Sequence, residues 1–202
     1  DVSNVTDMSW MFAYSDVFNQ NIGNWNVGNV TKMNWMFATT NPSRGIAFNQ
    51  DIGSWNVSSV IDFSAMFLYS DFNQDIGGWN VSSATNISAM FGGTKFNQDI
   101  GNWDVQNVTD MSYLFSLDST FNQDIGNWDV SKAESMAGMF QNASSFSWDL
   151  NGWDVSSVTG DQFLQFLHQA LANVVSLVAV HNCGERICFF AVDQHIQAHQ
   201  FV

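Results

Sequence analysis

Basic residues are scarce in this chain: five Lys and Arg stand against nineteen Asp and Glu, a formal charge of −14 over 202 residues. So acidic a chain repels phosphate backbones and anionic membranes, which argues against nucleic acid as a partner. A cation, a basic protein or a neutral glycan fits better. Proline occurs once, at Pro42, and cysteine twice, at Cys183 and Cys188, so no disulfide framework staples the main body. Histidine is confined to the last forty-two residues. No stretch reaches the ~18–20 uninterrupted apolar residues of a membrane span. The nearest, Phe163 to Val180, is broken by Gln165, His168, Gln169 and Asn173. Asp1 already falls inside a repeat, so the lack of a leader says nothing about secretion.

Apolar residues are plentiful, 46% against 12% charged, enough to fill a core. Eighteen Phe and nine Trp point to many equivalent aromatic positions, and the chain repeats accordingly. F-N-Q-D-I-G-x-W recurs with its Phe at Phe18, Phe48, Phe72, Phe96 and Phe121, degenerating at Phe146 to F-S-W-D-L-N-G-W. The following Trp falls at Trp25, Trp55, Trp79, Trp103, Trp128 and Trp153, spaced by 30, 24, 24, 25 and 25. Then comes V-x-x-V-x-x-M-x-x-M-F, as in Val105, Val108, Met111, Leu114 and Phe115. About eight apolar side chains per unit, each worth roughly 1.5–3 kcal/mol on burial, cannot close a core alone but can do so against a neighbouring unit.

These features predict an α/β repeat solenoid over residues 1–159, about six units with the first partial. Period-two alternation places one short parallel strand at W-x-V, with Trp and Val inward and coils ~4.8 Å apart. The V-T-D-M-S-x-M-F run, spaced by three and four, predicts a short helical or 3-10 turn capped by Thr or Asp. Asn-Gln-Asp turns the corner. The longer second unit carries an insertion, roughly Ala38 to Ala47, holding Pro42 and Arg44; such loops emerge on one face, as a binding loop or a tolerated excursion.

The residues F-N-Q-D-I-G-N-W-D-V, followed by V-T-D-M-S and M-F, resemble the BspA-like bacterial surface protein repeat over about Asp1 to Thr159. That resemblance implies a leucine-rich-repeat-like fold, a surface or secreted location, and adhesion or protein interaction. It supplies no catalytic residues.

After Thr159 the register fails, and all four His and both Cys lie beyond it. Phe163, Phe166, Leu167, Ala170, Leu171 and Val174 mark one face of a helix, and Val175 to Val180 with Ile187 to Val192 read as a hairpin. Residues 160–202 are expected to cap the last coil, or else to be an out-of-register extension. Cys183, Cys188, His195 and His199 form C-x4-C-x6-H-x3-H, a weak zinc candidate because the central interval is shorter than the ~12 residues of a finger. Two small apolar Cys on a hairpin are the simpler account.

Stacking would build acidic rows: Asp51, Asp75, Asp99, Asp124 and Asp149 at the corners, and Asn26, Asn56, Asn80, Asp104, Asp129 and Asp154 outward between Trp and Val. The second row, with Pro42 and Arg44, is the candidate binding set. Neighbouring carboxylates ~5 Å apart repel by about 0.8 kcal/mol in water, which calcium would relieve. Hydrogen bonds from turn amides serve equally, and Asn in half of the second row favours them. The Trp row reads as core rather than as a sugar platform; Trp10 and Trp35 are the better candidates for exposure, with packing on a helix face the preferred account of them. Seven N-x-[ST] sequons, Asn29 and Asn107 among them, follow from the repeat itself.

No nucleophile stands beside a base, since residues 1–159 contain neither His nor Cys, and no G-x-S-x-G, H-E-x-x-H or phosphate-loop pattern occurs. The expectation is a non-enzymatic, extracellular or cell-surface protein binding a protein or glycan partner. The alternatives are a spacer that displays another domain and a polysaccharide-active enzyme.

Overall fold

The structure is a computed structural model that describes residues 1–159. The expected helix, hairpin and zinc-type cluster at 160–202 lie outside the described residues. Consecutive repeats lie side by side with equivalent residues adjacent, and each is here called a coil. The M-S-x-M-F ribbons of coils 1 to 6 span residues 8–15, 33–39, 63–70, 87–94, 111–118 and 136–143.

The hydrogen bonds of coil 4 explain the ribbon. Alternate amides cross to coil 5: Ile87 N–H to Asp110 O (3.0 Å), Ala89 to Ser112 O (2.8 Å), Phe91 to Leu114 O (3.0 Å) and Gly93 to Ser116 O (2.7 Å). The intervening ones turn back three residues, Met90 to Ile87 O, Gly92 to Ala89 O and Thr94 to Phe91 O. Ser88 N–H goes to Asn86 Oδ1 at 2.9 Å. Every N–H of the coil 4 ribbon is therefore satisfied, half of them by a neighbour some 23 residues away in sequence.

This is not the helical or 3-10 turn that the spacing predicts. A helix would send each amide back along its own coil; one isolated turn of helix is costly to nucleate, and a neighbouring coil offers carbonyls at every second residue. The tight turns require left-handed backbone at every fourth residue: Trp10, Tyr14, Trp35, Ala65, Tyr69, Ala89, Tyr113, Leu117 and Asn142 have φ between 52° and 63°. For non-glycine residues that conformation costs about 1–2 kcal/mol each, offset by the inter-coil bonds and core burial.

Nor does a strand form at W-x-V. Parallel bridges are isolated, running Asp7–Lys32–Asp62–Asn86–Asp110–Ser135, just before the ribbon, with one more at Ile46–Ser70. At W-x-V the chain lies between two tight turns, Trp103 N–H folding back to Ile100 O and Val108 N–H to Val105 O, which leaves no length for a ladder. Side chains tie the coils there instead. Trp55, Trp79, Trp103, Trp128 and Trp153 each donate Nε1–H to the Ile carbonyl of the preceding coil at 3.1–3.2 Å.

The core is a double column of phenylalanines. Within each coil two rings stack face to face, as Phe91 on Phe96 (4.0 Å) and Phe115 on Phe121 (3.7 Å). Between coils the columns repeat, Phe67–Phe91 at 6.0 Å and Phe91–Phe115 at 5.9 Å. Interior rings are fully buried, with the Met and Val positions closing around them. Beside the columns runs an asparagine ladder. Asn49 Oδ1 accepts Asn73 N–H (2.9 Å) and Gln74 Nε2–H (3.0 Å), and the pattern recurs at Asn73 and Asn97. The N-Q of the motif thus joins coil to coil, rather than only turning a corner.

Candidate binding faces

The six residues of the expected outward row, Asn26, Asn56, Asn80, Asp104, Asp129 and Asp154, are all exposed and lie at equivalent positions of successive coils. Each is engaged within its own coil. Asn26 Oδ1 accepts Gly28 N–H (3.2 Å), and Asn56 and Asn80 accept the amide and hydroxyl of Ser58 and Ser82. Asp104 Oδ1 accepts Gln106 N–H and its Oδ2 accepts Gln106 Nε2–H; Asp129 and Asp154 accept Ser131 and Ser156 N–H. The side-chain and backbone donors of Ser131 and Ser156 hold the Asp129 and Asp154 carboxyls below the usual range, while Asp129 pushes its neighbour Asp154 the other way. The corner row behaves alike: Asp51, Asp75, Asp99 and Asp124 each cap a glycine amide two residues on at 2.9–3.0 Å. These acids shape turns, and among the described residues no group of three or more His, Cys, Asp or Glu is arranged to hold a metal ion.

The glycines in those corners are required by close approach. A β-carbon on Gly77 would stand 2.5 Å from Asp99 O of the next coil, and one on Gly101 the same distance from Asp124 O.

Pro42 and Arg44 are exposed on the insertion. Arg44 Nη1 pairs with Asp16 Oδ2 of coil 1 at 3.7 Å, an open surface pair of little energetic weight. The loop is pinned by Ala47 N–H to Asp16 O (3.0 Å) and rejoins the register at Ile46. Two sequon asparagines have structural tasks, Asn29 Nδ2–H donating to Ser3 O and Asn107 Nδ2–H to Ser82 O.

Motif reading picked out only Trp10 and Trp35 on the outer side of the ribbon, because its residues differ from coil to coil; Trp10 is exposed and Trp35 half-buried. Three rows run along this side: Trp10, Trp35, Ala65, Ala89, Tyr113, Gly138; Ala13, Ala38, Leu68, Gly92, Ser116, Gln141; and Tyr14, Thr39, Tyr69, Gly93, Leu117, Asn142, with Ala38, Thr39, Ala65, Gly92, Ser116 and Gly138 buried among the others. Not one of these positions is charged, in a chain with nineteen acids. Trp10 is 47% exposed, Tyr14 52%, Tyr113 43% and Leu117 46%. Trp10 and Trp35 stack with centroids 4.5 Å apart and planes 1° from parallel. Aligning the variable positions of the repeat is the signal that reveals this face.

One acid is buried. Asp118 takes the place that Ser70 and Thr94 hold in earlier coils, and its Oδ1 accepts Thr120 N–H, Thr120 Oγ1–H and Phe121 N–H. Its Oδ2 lies 3.1 Å from Thr94 Oγ1, which stands 2.7 Å from Phe91 O. The one hydroxyl proton of Thr94 thus faces two acceptors, Phe91 O and Asp118 Oδ2, and is shared between them. Burial pushes the Asp118 carboxyl above its ordinary value, against the pull of its donors on Thr120, Thr94 and Phe121.

Stacked, recurring coils define a repeat protein. The family model described as Mycoplasma protein of unknown function, DUF285, matches residues 1–95 and again 69–174, and the chain belongs to that family. The two matches overlap, as a periodic sequence allows. No curated protein and no solved structure matches the chain. Among the described residues no helix is long and apolar enough to cross a membrane.

Proposed function

We propose that this chain is a non-enzymatic, leucine-rich-repeat-like solenoid, displayed at the cell surface or secreted, that binds a protein or glycan partner. Similarity to the BspA-like surface repeat supports the location. The observation that carries the binding reading is the uncharged, aromatic outer side of the ribbon. An interface core is marked by depleted charge and enriched Trp and Tyr, which is how this face departs from the acidic remainder of the chain. Left-handed backbone under Trp10, Tyr14, Tyr69, Tyr113 and Leu117 adds weight, because glycine would occupy those positions at lower cost.

A second reading, a stiff spacer holding another domain away from a surface, is favoured by the unbroken phenylalanine and asparagine ladders. A glycan array and a pull-down from a surface-protein extract, both with the full chain, separate the two. Specific retention of one glycan class or one protein is expected from a binder. Background signal in both assays leaves the spacer.

A further inference from the structure

The outer rows of the ribbon contain a notch. Coil 4 contributes only small residues there, Ala89, Gly92 and Gly93, between the bulky Leu68 and Tyr69 of coil 3 and Tyr113 and Leu117 of coil 5. The resulting hollow measures about 220 Å3. At Gly93 the floor has to be glycine, whereas at Gly92 the flexible end of Leu68 is the nearest obstacle. A β-carbon on Gly92 would stand 2.8 Å from Leu68 Cδ1, and one on Gly93 would collide with the Tyr69 ring. The walls carry the backbone strain, with φ of 54° at Tyr69, 57° at Tyr113 and 62° at Leu117. Glycine takes the same positions at Gly93 and Gly138, so large side chains are not imposed by the coil.

The chemistry of the lining narrows the occupant. The volume is below the ~300–1,000 Å3 of small-molecule sites and has room for one side chain or one sugar ring. Hydrogen-bonding side chains are limited to Ser116 and the two tyrosines, so a sugar would bury hydroxyls without partners. A charged group would be desolvated with no counter-ion. An apolar side chain loses nothing there. The chain as a whole carries −14, so a partner surface with a basic rim is attracted to it and an acidic one repelled.

We propose that the notch is the anchor point for a protein partner, accepting one apolar side chain of tryptophan or leucine size from a surface with a basic rim. This rests on the binding reading above and names the partner class for the same face.

Three synthetic peptides, Lys-Lys-Gly-Ser-Gly-X-Gly-Ser-Gly-Lys-Lys with X as Trp, Leu or Ala, test it by amide NMR on the full chain. The Trp and Leu peptides shift the Gly92, Gly93 and Leu117 amides saturably, and the Ala peptide binds about tenfold more weakly or less. Tyr113→Gly, which removes a wall and leaves the glycine that coil 6 already has there, abolishes the shifts. Gly92→Leu, which fills the notch from below, does so independently. Equal shifts with the Ala peptide, or shifts that survive both substitutions, overturn the proposal. So does cellohexaose moving these amides where the Trp peptide does not. If all peptides fail while the full chain still retains a partner on the array or in the pull-down, the notch is wrong and the binding reading stands. If those fail too, both fall.

Discussion

Gly93→Ala is a small change whose cost the structure divides into two parts. Gly93 has φ of +65°, and the Tyr69 ring of the preceding coil occupies the space its β-carbon would need. The backbone part is the left-handed penalty, about 1–2 kcal/mol for a non-glycine residue. The steric part is displacement of the Tyr69 ring from its packing, about 1–3 kcal/mol by the usual cost of an added methyl in a filled site. The hydrogen bond from Gly93 N–H to Ser116 O survives the substitution, so no hydrogen-bond loss enters. Gly93→Ala alone should therefore lower stability by about 2–5 kcal/mol. In a Tyr69→Ala background the steric part vanishes, and the same change should cost only about 1–2 kcal/mol. Urea unfolding of the four proteins of this cycle, followed by tryptophan fluorescence, measures the coupling as the difference. Costs that add to within about 0.5 kcal/mol would refute the reasoning, because they would mean that ring and β-carbon do not compete for one space.

Phe96→Ala opens both phenylalanine columns at mid-length, where the ring is fully buried and stacked on Phe91, Phe72 and Phe121. A loss of about 3–5 kcal/mol in urea unfolding is expected. Asp118→Asn should preserve the acceptor at Oδ1 and let Nδ2–H donate to Thr94 Oγ1. Because the folded-state pKa of Asp118 is raised, its favourable contribution is complete below the unfolded value near ~3.9 and is lost as pH rises through the folded value. Relative to Asp118→Asn, wild type should lose stability as pH rises above about 4, read from paired thermal melts. A difference independent of pH would show that burial does not govern this carboxyl.

The inward pattern was legible because every coil solves the same packing problem with the same residue types. Phe, Ile, Trp, Val and Met recur at fixed intervals, and Val105, Met111 and Phe115 occupy the core that their spacing predicts. The local conformation was not legible. Apolar spacing of three and four fits a helix and fits a ribbon of alternating turns equally well, and the deciding fact is the carbonyl that each amide finds. For Phe91 that carbonyl belongs to Leu114, outside any local window. The W-x-V alternation misled for a related reason, since Trp103 and Val105 do point inward while the turns on either side consume the backbone groups a strand needs. Of the candidate sites, the Asn26 to Asp154 row was found as a row, but its partners Gly28, Ser58, Ser82, Gln106, Ser131 and Ser156 make it a set of turn acceptors. The notch residues escaped because Ala89, Gly92 and Gly93 matter by being smaller than their counterparts, and a motif records only what is shared.

Everything rests on successive coils lying parallel and in register. Cysteine pairs in a chain with Cys183→Ser and Cys188→Ser test this directly. Asp104→Cys with Asp129→Cys joins equivalent positions of adjacent coils, beside Trp103 and Trp128 whose rings stack 6.5 Å apart, a spacing within the ~4.4–6.8 Å that a disulfide spans. Asn80→Cys with Asp129→Cys joins positions two coils apart, out of reach. Under mild oxidation of dilute protein, the first pair should close to completion and the second should remain as thiols. Equal closure of both pairs, or closure of the second alone, would contradict the stacking and everything built on it.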